Sequence, residues 1–305
     1  MPEIVIGIPT FRRPKGLARL LRALAEIETD GNIRVLVADN DARDHEGFDL
    51  CNRIRAHYRF ALDAVIVAER GIAQARNALV AHALDDPDTR FIAMLDDDEW
   101  PSRQWLAELL RIQRETGADA VEGAIASVHE GETLARFDGV ARARGTSGPV
   151  AMLEGAGNIL LARTALQSTA APWFDPAFAL TGGEDKDFFI RLKRRGARFA
   201  WAGEALATTE VPASRMGLKW TLSRAFSVGN SDIRIFLKHE AGLGAHAREI
   251  AKIAGALLLS PALFLILLAS PNRRGRALRT FFRAMGKLAA LFGSTYHEYA
   301  VIHGE

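Results

Sequence analysis

The stretch Phe91-Ile92-Ala93-Met94-Leu95-Asp96-Asp97-Asp98-Glu99-Trp100-Pro101 decides how the chain is read. Five apolar residues in a row are too few for a buried helix and fit a strand covered on both faces. The run ends in three aspartates, and Pro101 then forbids a simple continuation. Working outward, the same alternation of short apolar runs and helical periods recurs. Ile4–Ile8 reads as a strand ending at Pro9, and Lys15–Ile27 as a helix with Leu17, Leu20, Leu21, Leu24 and Ile27 on one face. Ile33–Ala38 and Ala64–Ala68 read as strands, Phe48–Tyr58 and Gly71–Leu84 as helices. Strands alternating with helices predict an α/β domain, Rossmann-like, with a mainly parallel sheet and helices on both faces.

In such sheets ligands sit beyond the carboxyl ends of the strands. The polar clusters fall at those ends: Pro9-Thr10, then Asp39-Asn40-Asp41, then Glu69-Arg70-Gly71, then Asp96–Glu99. Beyond them, 118–128 reads as a strand, 130–149 as a loop or weak hairpin, and Gly157–Ala162 as a strand. Asp185–Arg195 reads as a helix, Phe199–Thr209 as one or two strands, and Ser214–Lys238 as a helix with Gly217 and Gly229 as weak points.

Three adjacent carboxylates repel one another unless something positive is bound. On an extended segment, alternation puts Asp96 and Asp98 on one side. Hard oxygen donors suit Mg2+ or Mn2+, and Mg2+ usually takes one or two protein carboxylates together with substrate phosphates. The pattern therefore suggests a cation bridging a diphosphate. The blander reading is an acidic cap on the helix beginning near Pro101. A second constellation, Gly182-Gly183-Glu184-Asp185, places two glycines ahead of acids that open a helix carrying Phe188, Phe189 and Leu192. A helix cap explains the acids but not the glycine pair. The chemical reading is a carboxylate at a pocket mouth acting as general base.

At these motifs the sequence resembles the family 2 glycosyltransferases of the GT-A fold, inverting enzymes that use nucleotide-diphosphate sugars. The matching pieces are Ile8–Pro14, Val37–Asp41, Gly71–Asn77, Leu95–Glu99, Gly155–Asn158 and Gly183–Phe188. Glu210–Arg215, Trp220, Arg224 and Gly229 resemble the bacterial subgroup of the succinoglycan-biosynthesis type, active in exopolysaccharide assembly. The resemblance spans residues 3 to 230, and its specificity lies in the order and spacing of the pieces together.

The resemblance implies roles. Pro9, Thr10 and Arg13 would border the nucleotide base and phosphates, and Asp39 would accept hydrogen bonds from base or ribose. Arg76 would face the diphosphate. Asp96 would hold the ribose or donor sugar, with Asp97 and Gly157 also on the donor side, and Asp98 would bind Mg2+ or Mn2+. Asp185 would be the catalytic base, with Glu184 beside it contacting acceptor or donor sugar. Many GT-A enzymes add a histidine ligand from a late strand. Here that neighbourhood reads Ala207-Thr208-Thr209-Glu210, so Glu210 either substitutes or orders Arg215.

Composition excludes other classes. Lys plus Arg exceed Asp plus Glu by only two among 305 residues, so no charge excess argues for nucleic acid. The single cysteine, Cys51, excludes an internal disulfide framework. Cys51, His57, His82 and the tryptophans read as packing or surface residues. The start, Met1-Pro2-Glu3 followed by Ile4–Ile8, does not read as a signal peptide.

From Ile253 to Asn272 no residue is charged, and Ala256–Ala269 is almost wholly apolar. This is long enough to cross a bilayer as a helix. Pro261 in its middle, and the basic cluster Arg273, Arg274, Arg276, Arg279, Arg283 and Lys287 behind it, argue against one outward span. A re-entrant hairpin bent near Pro261, or a helix in the interface, keeps that cluster on one side. The alternative is a helical pair covering the catalytic domain or a dimer interface. The expected organisation is a catalytic domain over 1–213, a helical extension over 214–245 and a membrane-associating tail over 246–305. The expected partners are a nucleotide-sugar donor, a glycan or lipid-linked acceptor and a membrane surface, at the cytoplasmic face of the inner membrane. Rival readings are a sugar-phosphate nucleotidyltransferase, for which Phe11–Pro14 lacks the glycine-rich loop, and a non-catalytic sugar-nucleotide-binding protein.

Overall fold

A computed structural model describes residues 3–129, 146–267 and 271–296. The part of the expected loop or hairpin at 130–145 lies outside the described residues. The chain divides into two compact units, one from residues up to Ala179 with Glu184–Val211, the other from Leu180–Gly183 with the chain from Pro212 onward.

The first unit begins with the predicted alternation. It runs β1 (Glu3–Thr10), α1 (Pro14–Leu24), β2 (Asn32–Asp39), α2 (Glu46–Ile54), β3 (Ala61–Ile66), α3 (Ile72–Leu84) and β4 (Thr89–Met94). Next come β5 (Glu99–Pro101), α4 (Trp105–Thr116), β6 (Ala120–His129), β7 (Gly148–Val150), β8 (Ile159–Ala162), α5 (Arg163–Gln167), α6 (Glu184–Arg194) and β9 (Phe199–Val211). The sheet order is β3-β2-β1-β4-β8-β6-β9-β5, with β7 beside β9. The parallel arrangement expected from the alternation holds across β3, β2, β1 and β4. Beyond β4 the sheet is mixed. β8 is antiparallel to both β4 and β6, whereas β9 is parallel to β6 and antiparallel to β5 and β7. Among the described residues no α-helix lies between β6 and β8, and β8 returns antiparallel to β6; the sequence pattern marked these strands but not their direction.

Period-two alternation sorts β1 and β2 onto two cores. Ile4, Ile6, Ile8, Val35 and Val37 join Leu17, Leu20, Leu21 and Leu24 of α1 and Trp105, Leu106 and Leu109 of α4. Val5 and Leu36 face the other way, against Leu79, Val80 and Ala83 of α3 and Phe188, Phe189 and Leu192 of α6. Both faces of the sheet are thereby covered, as an all-apolar strand requires. Pro14 sits in the first turn of α1, where its missing N–H costs nothing.

The second unit is helical: α7 (Leu218–His239), α8 (Leu243–Ile266) and α9 (Pro271–Leu291). Gly217 caps the start of α7. Gly229 is a contact point and no weak spot, since a Cβ there would lie 1.9 Å from the Arg283 carbonyl oxygen of α9. Gly286 of α9 repays the approach, with a Cβ 2.0 Å from the Phe226 carbonyl oxygen. Backbone this close admits only glycine. α8 runs through Pro261 to Ile266 without a hairpin at the proline. It is long and apolar enough to cross a membrane, at mean hydropathy 1.8, and little of it is buried. Leu258, Leu259, Leu265 and Ile266 are all more than 60% exposed.

Candidate active site

The site gathers at the carboxyl ends of β1, β2 and β4. After Met94 the strand ends and the chain turns, the Glu99 N–H donating to the Asp96 carbonyl at 3.0 Å. That turn breaks the extended alternation expected for the three aspartates. Asp97 and Asp98 instead share one partner, Arg13, whose Nη1 donates to Asp97 Oδ1 at 3.1 Å and to Asp98 Oδ2 at 2.8 Å. Asp97 also accepts from the Thr10 hydroxyl at 2.8 Å, so the Pro9-Thr10 strand end is tied to the aspartate turn. Asp96 faces another way and accepts from Arg76 Nη2 at 2.9 Å.

Arg76, in the interior of α3, was expected to face a diphosphate. In the structure its other terminal nitrogen donates to Glu184 Oε1 at 2.5 Å. Glu184 is buried to 2% exposure, and its Oε2 is buried with no hydrogen-bond partner. Burial first, and then the charge of Asp185, push the Glu184 carboxyl up to about 8 against the pull of Arg76. Asp185, next to it, is partly exposed, and its Oδ1 accepts from the Lys186 N–H at 2.7 Å.

The segment Gly155–Gly157 connects the two motifs. A Cβ on Gly157 would lie 2.9 Å from Glu99 Oε1 and 3.0 Å from Asp96 Oδ2. A Cβ on Gly155 would lie 3.8 Å from Asp185 Oδ2. Backbone without side chains therefore passes beside the carboxylates of both motifs. Asn158, the next residue, is a brace: its amide donates to the carbonyls of Ala124 and Ala205 and accepts from the Trp105 indole N–H at 2.6 Å.

Asp39 is placed at the end of β2 and is 1% exposed. Its two oxygens accept from the N–H groups of Asp41 at 3.0 Å and Phe48 at 2.9 Å, holding the turn into α2. Two neighbours had no role assigned from sequence. Asn40 donates to the carbonyls of Val67 and Glu69 and accepts from the Gly71 N–H, fastening the ends of β2 and β3 and the start of α3. Glu99, 5% exposed, accepts from the Asp96 N–H, and burial followed by the Asp96 charge raises its carboxyl well above the usual range. The only signal for Glu99 was its adjacency to the aspartates. Glu210 is held by Arg19 at 2.6 Å, and that guanidinium lies 3.8 Å over the Trp100 ring.

The donor set bears on the expected cation. Among the described residues no three His, Cys, Asp or Glu side chains converge as a metal cage. Asp96 and Asp98, with 36% and 28% of their side chains exposed, are the accessible carboxylates of the turn, whereas Asp97 is 9% exposed. Burial pushes Asp97 up to about 7; the Arg13 charge opposes that push, and the charges of Asp98 and Asp96 add to it. Two open carboxylates in an acidic turn, each already paired with an arginine, fit a hard cation whose other ligands arrive with a diphosphate, and do not fit a cation held by protein alone.

Comparison with known proteins follows the same lines. The family described as Glycosyl transferase family 2 matches residues 5–148. The Succinoglycan biosynthesis protein ExoM of Rhizobium meliloti (strain 1021) is 34% identical over 299 residues, covering 95% of this chain and 93% of that protein. A mannosyltransferase from Pyrobaculum calidifontis, solved in complex with GDP-Man and Mn2+, superposes with a TM-score of 0.65 at 17% identity, over 96% of this chain and 88% of the other. TarS residues 1–349 from S. aureus, in complex with UDP, gives 0.55 at 16% identity, over 97% and 93%. At such identities the solved structures establish a shared GT-A-like fold.

Proposed function

This chain belongs to glycosyl transferase family 2, and on that premise we propose that it moves a sugar from a UDP-sugar to a glycan acceptor, with inversion, in exopolysaccharide biosynthesis. It is a glycosyltransferase, so the nucleotidyltransferase and non-catalytic readings fall. The observation that carries the finer reading is Arg76, which draws Asp96 of the aspartate turn and Glu184 of the base motif onto one guanidinium. The carboxylates that this reading assigns to the donor and acceptor sides share that one side chain, which supports treating them as one site.

In this reading the acceptor hydroxyl attacks the anomeric carbon on the face opposite the departing nucleoside diphosphate. Asp185 takes the hydroxyl proton as the new bond forms, and its partial exposure lets an acceptor reach it. Glu184, held by Arg76, contacts the acceptor or donor sugar in this reading, and its buried Oε2 has no hydrogen-bond partner among the described residues. Thr10, Asp97 and Gly157 border the donor, and Asp39 and Pro9 shape the nucleotide end. Asp98 would hold Mg2+ or Mn2+, which offsets charge growing on the leaving diphosphate.

The acceptor is lipid-linked and the site works at the cytoplasmic face of the membrane, supported by the exposed apolar surface of α8 and the basic residues near it. Two measurements test the reading. A thermal-shift panel of UDP and GDP with and without Mn2+ should show stabilisation by UDP only with the metal; a shift with GDP alone would reassign the donor. Flotation with phosphatidylglycerol-containing vesicles should carry the full chain upward, and a chain left at the bottom would remove the membrane from the reading.

A further inference from the structure

Only Phe11, Arg12 and Arg13 join the end of β1 to the start of α1. On either side of Arg12 the chain is bonded to the aspartate turn. The Thr10 hydroxyl donates to Asp97 Oδ2 at 2.8 Å, and the Phe11 N–H to the same oxygen at 3.4 Å. Arg13 Nη1 reaches Asp97 Oδ1 at 3.1 Å and Asp98 Oδ2 at 2.8 Å. Arg12 goes the other way, to the chain that follows β2. Its Nε donates to Asp41 Oδ2 at 2.7 Å, and its Nη2 to Asp41 Oδ1 at 3.3 Å and Asp44 Oδ2 at 3.2 Å. All of these residues belong to the first unit.

The backbone shows what this division requires. Arg12 lies at φ +54°, in the left-handed region that glycine enters freely and an arginine does not. Among the described residues the other side-chain-bearing residue there is His45, at φ +35°, next to Asp44. Such a conformation persists where the surroundings over-determine it. Here two carboxylates do so. Asp41 is 4% exposed, and its Oδ1 also accepts from the Arg43 N–H at 3.2 Å, so the anchor is itself fixed. The two-pronged match of guanidinium and carboxylate sets direction as well as charge. Pro14 keeps Arg13 out of the helical region, at φ −131° and ψ 57°, so the reversal falls on Arg12.

We propose that Arg12 is a positioning residue for the nucleotide-sugar donor: its left-handed turn, locked by Asp41 and Asp44, delivers Arg13 to Asp97 and Asp98 and so sets the carboxylates that meet cation and diphosphate. The proposal rests on the aspartate turn being the donor side. Arg12 acts through the backbone and not by touching the donor. Without its carboxylate partners the strained turn relaxes, the peptides beside it rotate, and Arg13 swings away from the aspartates.

The test compares full-length Arg12→Ala, Arg12→Lys and Arg12→Gly with wild type. Calorimetry reads the affinity for UDP and for GDP, each with and without Mn2+, and chemical denaturation shows that each variant is folded. Glycine loses both ion pairs but adopts the turn without strain, so Arg12→Gly should bind nucleotide with Mn2+ within about threefold of wild type. Arg12→Ala should bind about tenfold more weakly, because its binding-competent turn is only a minor population. Arg12→Lys keeps the charge and the strain but loses the two-pronged hold, and should fall near Arg12→Ala. Lysine retaining affinity where glycine loses it overturns the proposal, because Arg12 then acts by its charge on the donor. Folded Arg12→Ala binding as tightly as wild type also overturns it, because the turn then serves the fold alone. Wild type that binds neither nucleotide with Mn2+ sinks the donor-side reading, and the proposal with it, before any variant is compared.

Discussion

Asp96 and Glu184 stand at opposite ends of one guanidinium: Arg76 gives Nη2 to the first at 2.9 Å and Nη1 to the second at 2.5 Å. Arg76 is buried to 4% exposure and Glu184 to 2%. The link spans two motifs that are distant in sequence, and it makes the stability and the chemistry of the site depend on the same ion pair.

Arg76→Met leaves Glu184 buried without its cation. Removing one partner of a buried pair costs about 3–5 kcal/mol, whereas replacing both partners with neutral groups can be close to neutral. We expect chemical denaturation to show a loss of about 3 kcal/mol for Arg76→Met, most of it regained in Arg76→Met/Glu184→Gln. Additive losses in the double variant would show that the two residues are not coupled.

Gly157→Ala introduces a methyl at 2.9 Å from Glu99 Oε1 and 3.0 Å from Asp96 Oδ2. One of the carboxylates must move. Calorimetry with UDP and Mn2+ should show affinity weakened by about tenfold, or 1.4 kcal/mol, while the melting temperature changes little. Affinity equal to wild type would take Gly157 out of the donor side.

Cys51 is the single cysteine and is fully buried in α2. Burial, with the charge of Asp39 adding, pushes its thiol up to about 12. The thiolate is the reactive form. At pH 8 the folded protein should react with a thiol reagent only as fast as β2 and α2 open, and denaturant should release full reactivity within seconds. Rapid stoichiometric labelling of the native protein would contradict the packing around α2.

Glu249 on α8 accepts from Lys287 of α9 and from Lys252 at 3.3 Å. Its partial burial alone would raise the carboxyl, but the two ammonium groups hold it below its ordinary 4.5. A depressed carboxyl contributes stability above its unfolded value and loses it as pH falls through the folded one. Wild type should therefore melt a few degrees above Glu249→Gln at pH 7, for an interaction of about 1–2 kcal/mol. The gap should close as pH drops below about 4. A gap constant from pH 7 to pH 3 would rule out the ion pair as its source.

What the sequence determined by itself was local. Apolar runs of five or six residues, and the leucine period of α1, fixed the first four strands and their helices, because period and burial are properties of neighbouring residues. The acids at strand ends were legible for the same reason: a strand that stops in aspartates delivers them to the edge of the sheet. The tertiary structure alone decided how those acids face. The turn at Asp96–Glu99 sends Asp96 to Arg76 and the next two to Arg13, and the outcome depends on cations contributed by α3 and by the chain between β1 and α1. It also decided the antiparallel return through β8, the close crossing at Gly229 and Gly286, and the hold of Asp41 on Arg12. Each of these is a contact between residues far apart in the chain, and no spacing along a single strand of sequence records a distance in space.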